Sequence, residues 1–426
     1  MGRLDANISA HLKKMGVLDA RIPPVVLGAK LRLMFVLGAM VSALFPLMYI
    51  SLIPLAAWAL YWLGSVSDAT SKVHSPIVSA SVLLVGCLLI LSLLKPLVAR
   101  PVPTRAPHYL NPEKQLLLFA LVRSLASNIG VAAPERIAVD CNVNCYCMFG
   151  GGITGVFRSG FVLVIGLPLV AGLRLDQLVG VLAHELSHAL QITTMRSIGI
   201  IWAVHSWLSG VACQQDEFDA MIQRRLETAS NVTKPALRLT RVLVQPGRGI
   251  LWLLMIMQGA VTSAFRRRVE IAADRYEIRA SGTDRFISAV VEINVLAVAS
   301  QRAMVELSRM KRTGRVVDDY PGLIAQIRSR YPGDFVQRLL AGLGEERTRM
   351  LSAHPCDKDR IALARAEHQK GIVTADLPAS VLFAEYQTLC REVTVEFYEH
   401  ELGVTAESCE IVPIETILNV RNDRAD

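Results

Sequence analysis

The stretch Val181-Leu182-Ala183-His184-Glu185-Leu186-Ser187-His188-Ala189-Leu190 decides how the rest of the chain is read. It carries H-E-x-x-H inside an apolar, glycine-poor segment with the composition of a buried helix. On a helix, positions i and i+4 share one face. His184 and His188 can therefore present two imidazoles to one metal ion. Glu185 is turned by about 100° around the axis, so it can miss the metal and still reach a water bound to it. Two neutral nitrogen ligands, an open coordination position and a carboxylate base are what metal-assisted hydrolysis requires. Two histidines and a glutamate on one apolar helix are costly to bury unless each has a partner, which weighs against histidines that merely fill space.

The composition around this stretch is that of a mixed chain. Of 426 residues, 52% are hydrophobic and 19% charged, and the mean hydropathy is +0.39. That is too apolar for an ordinary soluble protein and too charged for a pure membrane bundle. A net charge of +8 comes without a lysine-rich tract or basic–aromatic interleaving. Basic residues flanking membrane segments explain it better than nucleic acid does. The eight cysteines are scattered and suggest no disulfide framework. Cys141-x3-Cys145-x-Cys147 matches no C-x2-C metal spacing, and small strand residues are the better reading of it.

Residues 1–32 are basic, with Arg3, Lys13, Lys14, Arg21, Lys30 and Arg32, and do not resemble a cleavable signal. Residues 33–64 carry no charge, more than the roughly 20 residues one span needs and too few for two spans with a turn. We expect one helix, about 33–62, kinked or ended by Pro46 or Pro54. After a polar loop, 76–94 is a second apolar run, so 33–99 forms a transmembrane hairpin. Lys95, Arg100 and Arg105 follow it and only Lys72 lies in the loop, which puts both outer flanks, and the metal-motif helix downstream, on the cytoplasmic side.

A proline-rich linker, 100–113, precedes a helix expected from Glu113 to about Asn128. Ile137–Asp140, Asn144–Phe149 and Phe161–Gly166 read as strands, the last of them central, with a turn at Gly150-Gly151-Gly152. Asp176 is a fair N-cap for the motif helix. Two further apolar runs, 197–213 and 250–265, are at the lower limit for a span. The segment between them holds Arg224, Arg225, Lys234, Arg238, Arg241 and Arg248, and two crossings would place it against the positive-inside tendency. A helical pair on the bilayer surface is equally open. Asp284–Leu307, broken by Glu292 and Asn294, is expected as a core helix. Leu382 to Phe397 forms an amphipathic helix stopped near Gly403. The fold class is thus α+β and mainly helical, a membrane hairpin followed by a metal-binding domain with a small sheet at 114–370 and a helical extension at 371–426.

Two histidines leave a metal short of a third protein ligand. Glu270 and Asp274, four apart, share a face if the stretch is helical. By spacing alone they are equally a ligand with a supporting carboxylate or a solvated face pairing with Arg266, Arg267 or Arg275. Taken together, Asp176-Gln177-Leu178, His184-Glu185-x-x-His188, Glu270-x-x-x-Asp274 and Ser352-Ala353-His354-Pro355-Cys356-Asp357-Lys358-Asp359-Arg360-Ile361 resemble the HtpX-type and CAAX-prenyl-protease family of zinc metallopeptidases. The order of apolar runs is similar to that of the HtpX-type members, and the resemblance covers about 110–370.

The resemblance implies one zinc ion per chain on His184, His188 and Glu270, with Glu185 as general base and acid and Asp274 supporting the ligands. It places His354 and Arg360 near the cleft for oxyanion or substrate contact, and Asn144 on an edge strand beside it. The expected activity is a zinc metalloendopeptidase of the inner membrane of a bacterium, cutting membrane or misfolded proteins at the cytoplasmic face. The expected partners are a polypeptide substrate and the bilayer, with no nucleic acid. A narrower processing protease for lipidated peptides and a catalytically silent scaffold are the rival readings. An intact base at Glu185 counts against the scaffold.

Overall fold

The computed structural model describes residues 12–13, 21–25, 28–69, 76–98, 107–149, 160–243, 245–345, 352, 354–403 and 409–414. Of the polar loop expected at 65–75, residues 65–69 continue the first helix and 70–75 lie outside the described residues, as do most of the proline-rich linker and the expected glycine turn at 150–152.

Helix α1, Ala29–Ala69, runs through both Pro46 and Pro54 as one element, about 62 Å long at 1.5 Å per residue. Neither proline ends it, contrary to one of the outcomes expected from the sequence. Helix α2, Pro76–Val98, returns beside its distal half. Mean hydropathies of 2.2 and 2.4 over these two helices, with apolar side chains exposed along both, mark them as long and apolar enough to cross a membrane. The last turns of α2 meet the middle of α1, where the Tyr49 hydroxyl donates to the Leu93 carbonyl at 2.9 Å.

A four-stranded mixed sheet follows. Its strands are β1 (His108–Tyr109), β2 (Arg136–Asp140), β3 (Cys145–Met148) and β4 (Val162–Gly166), in the order β1-β2-β4-β3. Strand β4 is internal and buried, as its unbroken Val-Leu-Val-Ile run requires. Among the described residues strand β3 pairs only with β4, and none lies along its other edge as a strand. Strand β1 falls within the segment read as linker; two residues are too short to leave a period in the sequence. Helix α3 (Leu116–Ile129) packs beneath, closed by Gly130 at φ 90.

Short α4 (Leu167–Gly172) leads into the motif helix α5, Leu175–Thr194. Nearly every side of α5 is buried, which makes it the axis of the domain rather than a surface helix. Asp176 is not its cap. Arg174 holds that position, its N–H bonded to Gln177 Oε1 at 2.8 Å, while Asp176 sits inside the first turn and pairs with Arg285 at 2.9 Å. Then come α6 (Arg196–Cys213), α7 (Glu217–Thr228), α8 (Lys234–Leu243) and the long α9 (Gln245–Ser281). The apolar run at 250–265 and the Glu270–Asp274 face, read separately from the sequence, are one continuous helix.

Helix α10 (Thr283–Arg312) buries Phe286, Val290, Leu296, Ala299, Ala303 and Leu307 within the domain, consistent with a core helix. The remaining elements are β5 (Arg315–Val317), α11 (Tyr320–Ser329), α12 (Gly333–Glu345), α13 (Asp357–Glu367), a 3-10 turn at Ala379–Leu382, α14 (Tyr386–Glu401) and β6 (Glu410–Val412), which pairs parallel with β5. Leu389, Val393 and Tyr398 of α14 join the same apolar core as α5 and the sheet. These described residues beyond 371 are thus built into the domain.

Candidate metal centre

Helices α5 and α9 lie antiparallel, and their register sets the site. Close approach begins at Gly180, where a Cβ would stand 2.9 Å from Ser281 Cβ. One turn on, His184 faces Asp274 and Glu277; another turn on, His188 faces Glu270. Two helical 3.6-residue periods running in opposite directions therefore bring together side chains some 80 residues apart in sequence.

His184 Nε2 and His188 Nε2 stand 3.2 Å apart. Glu270 Oε2 lies 3.5 Å from the first and Oε1 3.7 Å from the second. A zinc ion held at about 2.0–2.1 Å by tetrahedral ligands separates them by about 3.3 Å, so these three donors already have the spacing of a ligand set. Glu270 Oε1 is buried without a hydrogen-bond partner, which a metal would relieve. The donor set, two imidazoles and one carboxylate, suits zinc and leaves a position open. The residues present fit the metal.

The electrostatics agree. Burial disfavours charge on His184, but the carboxylates of Asp274, Glu270 and Glu277 beside its ring nitrogens outweigh it and raise its pKa well above the usual range. Three carboxylates around one imidazole attract positive charge, a proton or, displacing it, a metal. Burial pushes His188 down to about 4, leaving it neutral and able to ligate at neutral pH. Burial also penalises the Glu270 anion, yet its contacts with His184 and His354 hold it well below the carboxylate range. Glu185 is pushed up to about 8, chiefly by burial, so a nearby cation is needed to make it a base at neutral pH.

Asp274 Oδ1 lies 3.3 Å from His184 Nδ1, the placement that fixes an imidazole's tautomer and aims its other nitrogen at a metal. Arg360 grips Asp274 with Nε at 3.0 Å and an Nη at 2.8 Å, and is itself held by Asp357 at 3.3 Å. Arg360 does not line the cleft containing His184 and Glu185. Its guanidinium is engaged by Asp274. His354 does line the cleft, with Nδ1 3.0 Å from Glu270 Oε2 and the side chain largely exposed. Asn144 lines it too, and its Oδ1 accepts from the Cys145 N–H at 2.9 Å.

Glu277 was not singled out from the sequence. It is buried, with Oε2 3.4 Å from His184 Nδ1. The signal was present: Glu270, Asp274 and Glu277 recur at i, i+4 and i+7, the spacing of one helix face.

The site opens into a cavity of about 780 Å³. One wall is the free edge of β3; another is the α6 face carrying Gly199, Trp202, Ala203, Ser206 and Trp207. Cys145 and Cys147 sit on β3 as strand residues, and among the described residues no cysteine joins a metal-holding group. An extended chain could lie along β3 with its carbonyl beside Glu185 and the donor cluster.

No curated protein and no solved structure matches the chain. The model of peptidase family M48 matches residues 112–368, more than half the chain, and spans every residue of the donor cluster, the carboxylates behind it and the Arg360 that braces them. The sequence motifs, the paired α5 and α9 helices and this match agree: the chain belongs to peptidase family M48.

Proposed function

We propose that this metallopeptidase is a zinc metalloendopeptidase anchored by α1 and α2 in a bacterial inner membrane, hydrolysing peptide bonds of membrane or misfolded proteins at the cytoplasmic face. The observation that carries the reading is the donor cluster of His184, His188 and Glu270 with Glu185 beside it on the cleft wall.

When bound, zinc supplies Lewis acidity and lowers the pKa of the attacking water. The chain's own groups do the rest. Asp274 and Glu277 fix His184 in the tautomer that ligates through Nε2. Glu185 takes the proton of the attacking water and delivers it to the departing amine. His354 has Nδ1 beside Glu270 Oε2, and in its doubly protonated form its other ring N–H can donate to the developing oxyanion.

The free edge of β3 supports main-chain recognition. Gly166 N–H donates to Asn144 O, and pairs alternate along an antiparallel ladder. Cys147, three residues on in the same register, therefore turns its N–H and C=O away from β4. A substrate strand bonded there is held by its backbone, with little selection among side chains.

The test is hydrolysis of an unfolded protein such as casein by the full chain in detergent, before and after chelation and after zinc is restored. Activity lost on chelation and regained with zinc supports the reading. Full activity after complete removal of metal overturns it.

A further inference from the structure

Between α6 and α9 lies a segment that the hydrolytic site does not use. From Thr228 to Val269 the chain has no aspartate or glutamate, while Lys234, Arg238, Arg241 and Arg248 fall in its first part. Helix α8 within it packs Leu237 and Leu243 half-buried against its neighbours. Its outward side is apolar. Leu239 is 59% exposed, Val242 64%, and Val232 in the preceding turn 86%; Pro235 is exposed as well.

Val232, Pro235, Leu239 and Val242 recur at i, i+3, i+7 and i+10, one stripe of a helix. Lys234, Arg238 and Arg241 follow the same spacing along one flank of that stripe. Arg241 reaches a neutral group, Gln223 Oε1, at 3.5 Å. An outward apolar stripe beside a row of cations is the pattern of a helix lying in a membrane interface.

Its place in the fold fits that surface. The last charged residue of α2, Lys95, is buried in a network with Asp216 at 2.7 Å and Asp219 at 2.8 Å. Arg248, at the start of α9, closes the network on Asp216 at 3.0 Å. These contacts tie both ends of the 214–248 segment to the point where α2 ends. Helix α2, at 23 residues, is about 34 Å long, close to the roughly 30 Å of a hydrocarbon core. A bilayer crossed by α2 would have its surface beside α8.

We propose that α8 docks flat on an anionic lipid leaflet where α2 leaves the bilayer. Its Val232–Val242 stripe enters the boundary between headgroups and acyl chains, and Lys234, Arg238 and Arg241 meet lipid phosphates. This contact keeps the basic 214–248 segment on the side where Lys95 emerges and removes its conflict with the positive-inside tendency. It is independent of whether the chain hydrolyses peptides.

The experiment uses the full chain with its two exposed thiols removed (Cys87→Ser, Cys213→Ser) and an environment-sensitive fluorophore on Val242→Cys. A second protein carries the label on Arg302→Cys, an exposed position of α10. Both are placed in nanodiscs of phosphatidylcholine with phosphatidylglycerol. At position 242 we expect iodide quenching to fall several-fold relative to detergent, and brominated lipid to quench strongly. High salt and the pair Arg238→Gln with Arg241→Gln should each reverse that shielding, while position 302 stays open to iodide throughout. Equal iodide quenching at the two positions in anionic nanodiscs overturns the proposal. So does shielding that persists in detergent and grows with protein concentration, which would assign the stripe to a second copy of the chain.

Discussion

Glu270, Asp274 and Glu277 set three carboxylates around His184, with Arg360 behind them. Glu277 stands on the Nδ1 side of His184, and outer carboxylates of this kind are worth about ten- to hundredfold in metal affinity. We expect Glu277→Gln to weaken zinc binding by that order, measured by competition with a chromophoric chelator; unchanged affinity would remove Glu277 from the site. Arg360 acts on the same group from behind. Replacing it with Met leaves Asp274 buried without its cation, a loss of about 3–5 kcal/mol for a broken buried pair. A denaturation midpoint unchanged in Arg360→Met would contradict that role. The sequence motif revealed His184, Glu185 and His188 because metal chemistry needs those residue types at that spacing. Glu277 stayed hidden because a charge on a helix face is ordinarily solvated, and it is the packing of α5 against α9 that buries this one; Arg360 was singled out by the resemblance, but not its grip on Asp274.

At the scale of elements, the site depends on how closely α5 and α9 approach. Gly180→Ala puts a Cβ 2.9 Å from Ser281 Cβ, and overpacking of that kind costs about 1–3 kcal/mol. The two helices carry different ligands, so we expect a lower melting temperature together with weaker zinc binding; a drop in one without the other would separate packing from ligation. The free edge of β3 makes a different prediction. Cys147→Pro removes a cleft-facing N–H without breaking the ladder to β4, and should raise KM while zinc content holds. Cys147→Ala, which loses only the thiol's bond to the Glu185 carbonyl at 3.3 Å, should leave KM unchanged; equal effects would place the role in the thiol. The strands of this sheet were legible because β-branched, apolar runs between turn residues have few other uses. The continuity of α9 was not, since Arg266-Arg267-Arg268 look like a boundary, yet a helix can carry its hydrogen bonds unbroken from apolar surroundings into the domain.

Over the whole molecule, the hairpin and the metal domain share packing. Phe35 of α1 is 1% exposed and packs with Ile198, Ile201 and Val269, the last adjacent to Glu270. Phe35→Ala should therefore cost about 3–5 kcal/mol and lower the melting temperature of the metal domain; a domain indifferent to it would make α1 a detached anchor. The general plan of a hairpin before a metal domain could be read from apolar run lengths. That α14 and β6 complete the domain's own core could not, because an amphipathic stripe says that it packs without saying against what. The account as a whole rests on Glu185 acting on water held by a metal that three other residues bind. Metal content and casein hydrolysis of Glu185→Gln, measured on one preparation beside the unaltered chain, test this most directly. The prediction is one zinc per chain in both proteins, with hydrolysis in the variant reduced by about 10²- to 10⁴-fold. Undiminished hydrolysis in a zinc-loaded Glu185→Gln protein would contradict it.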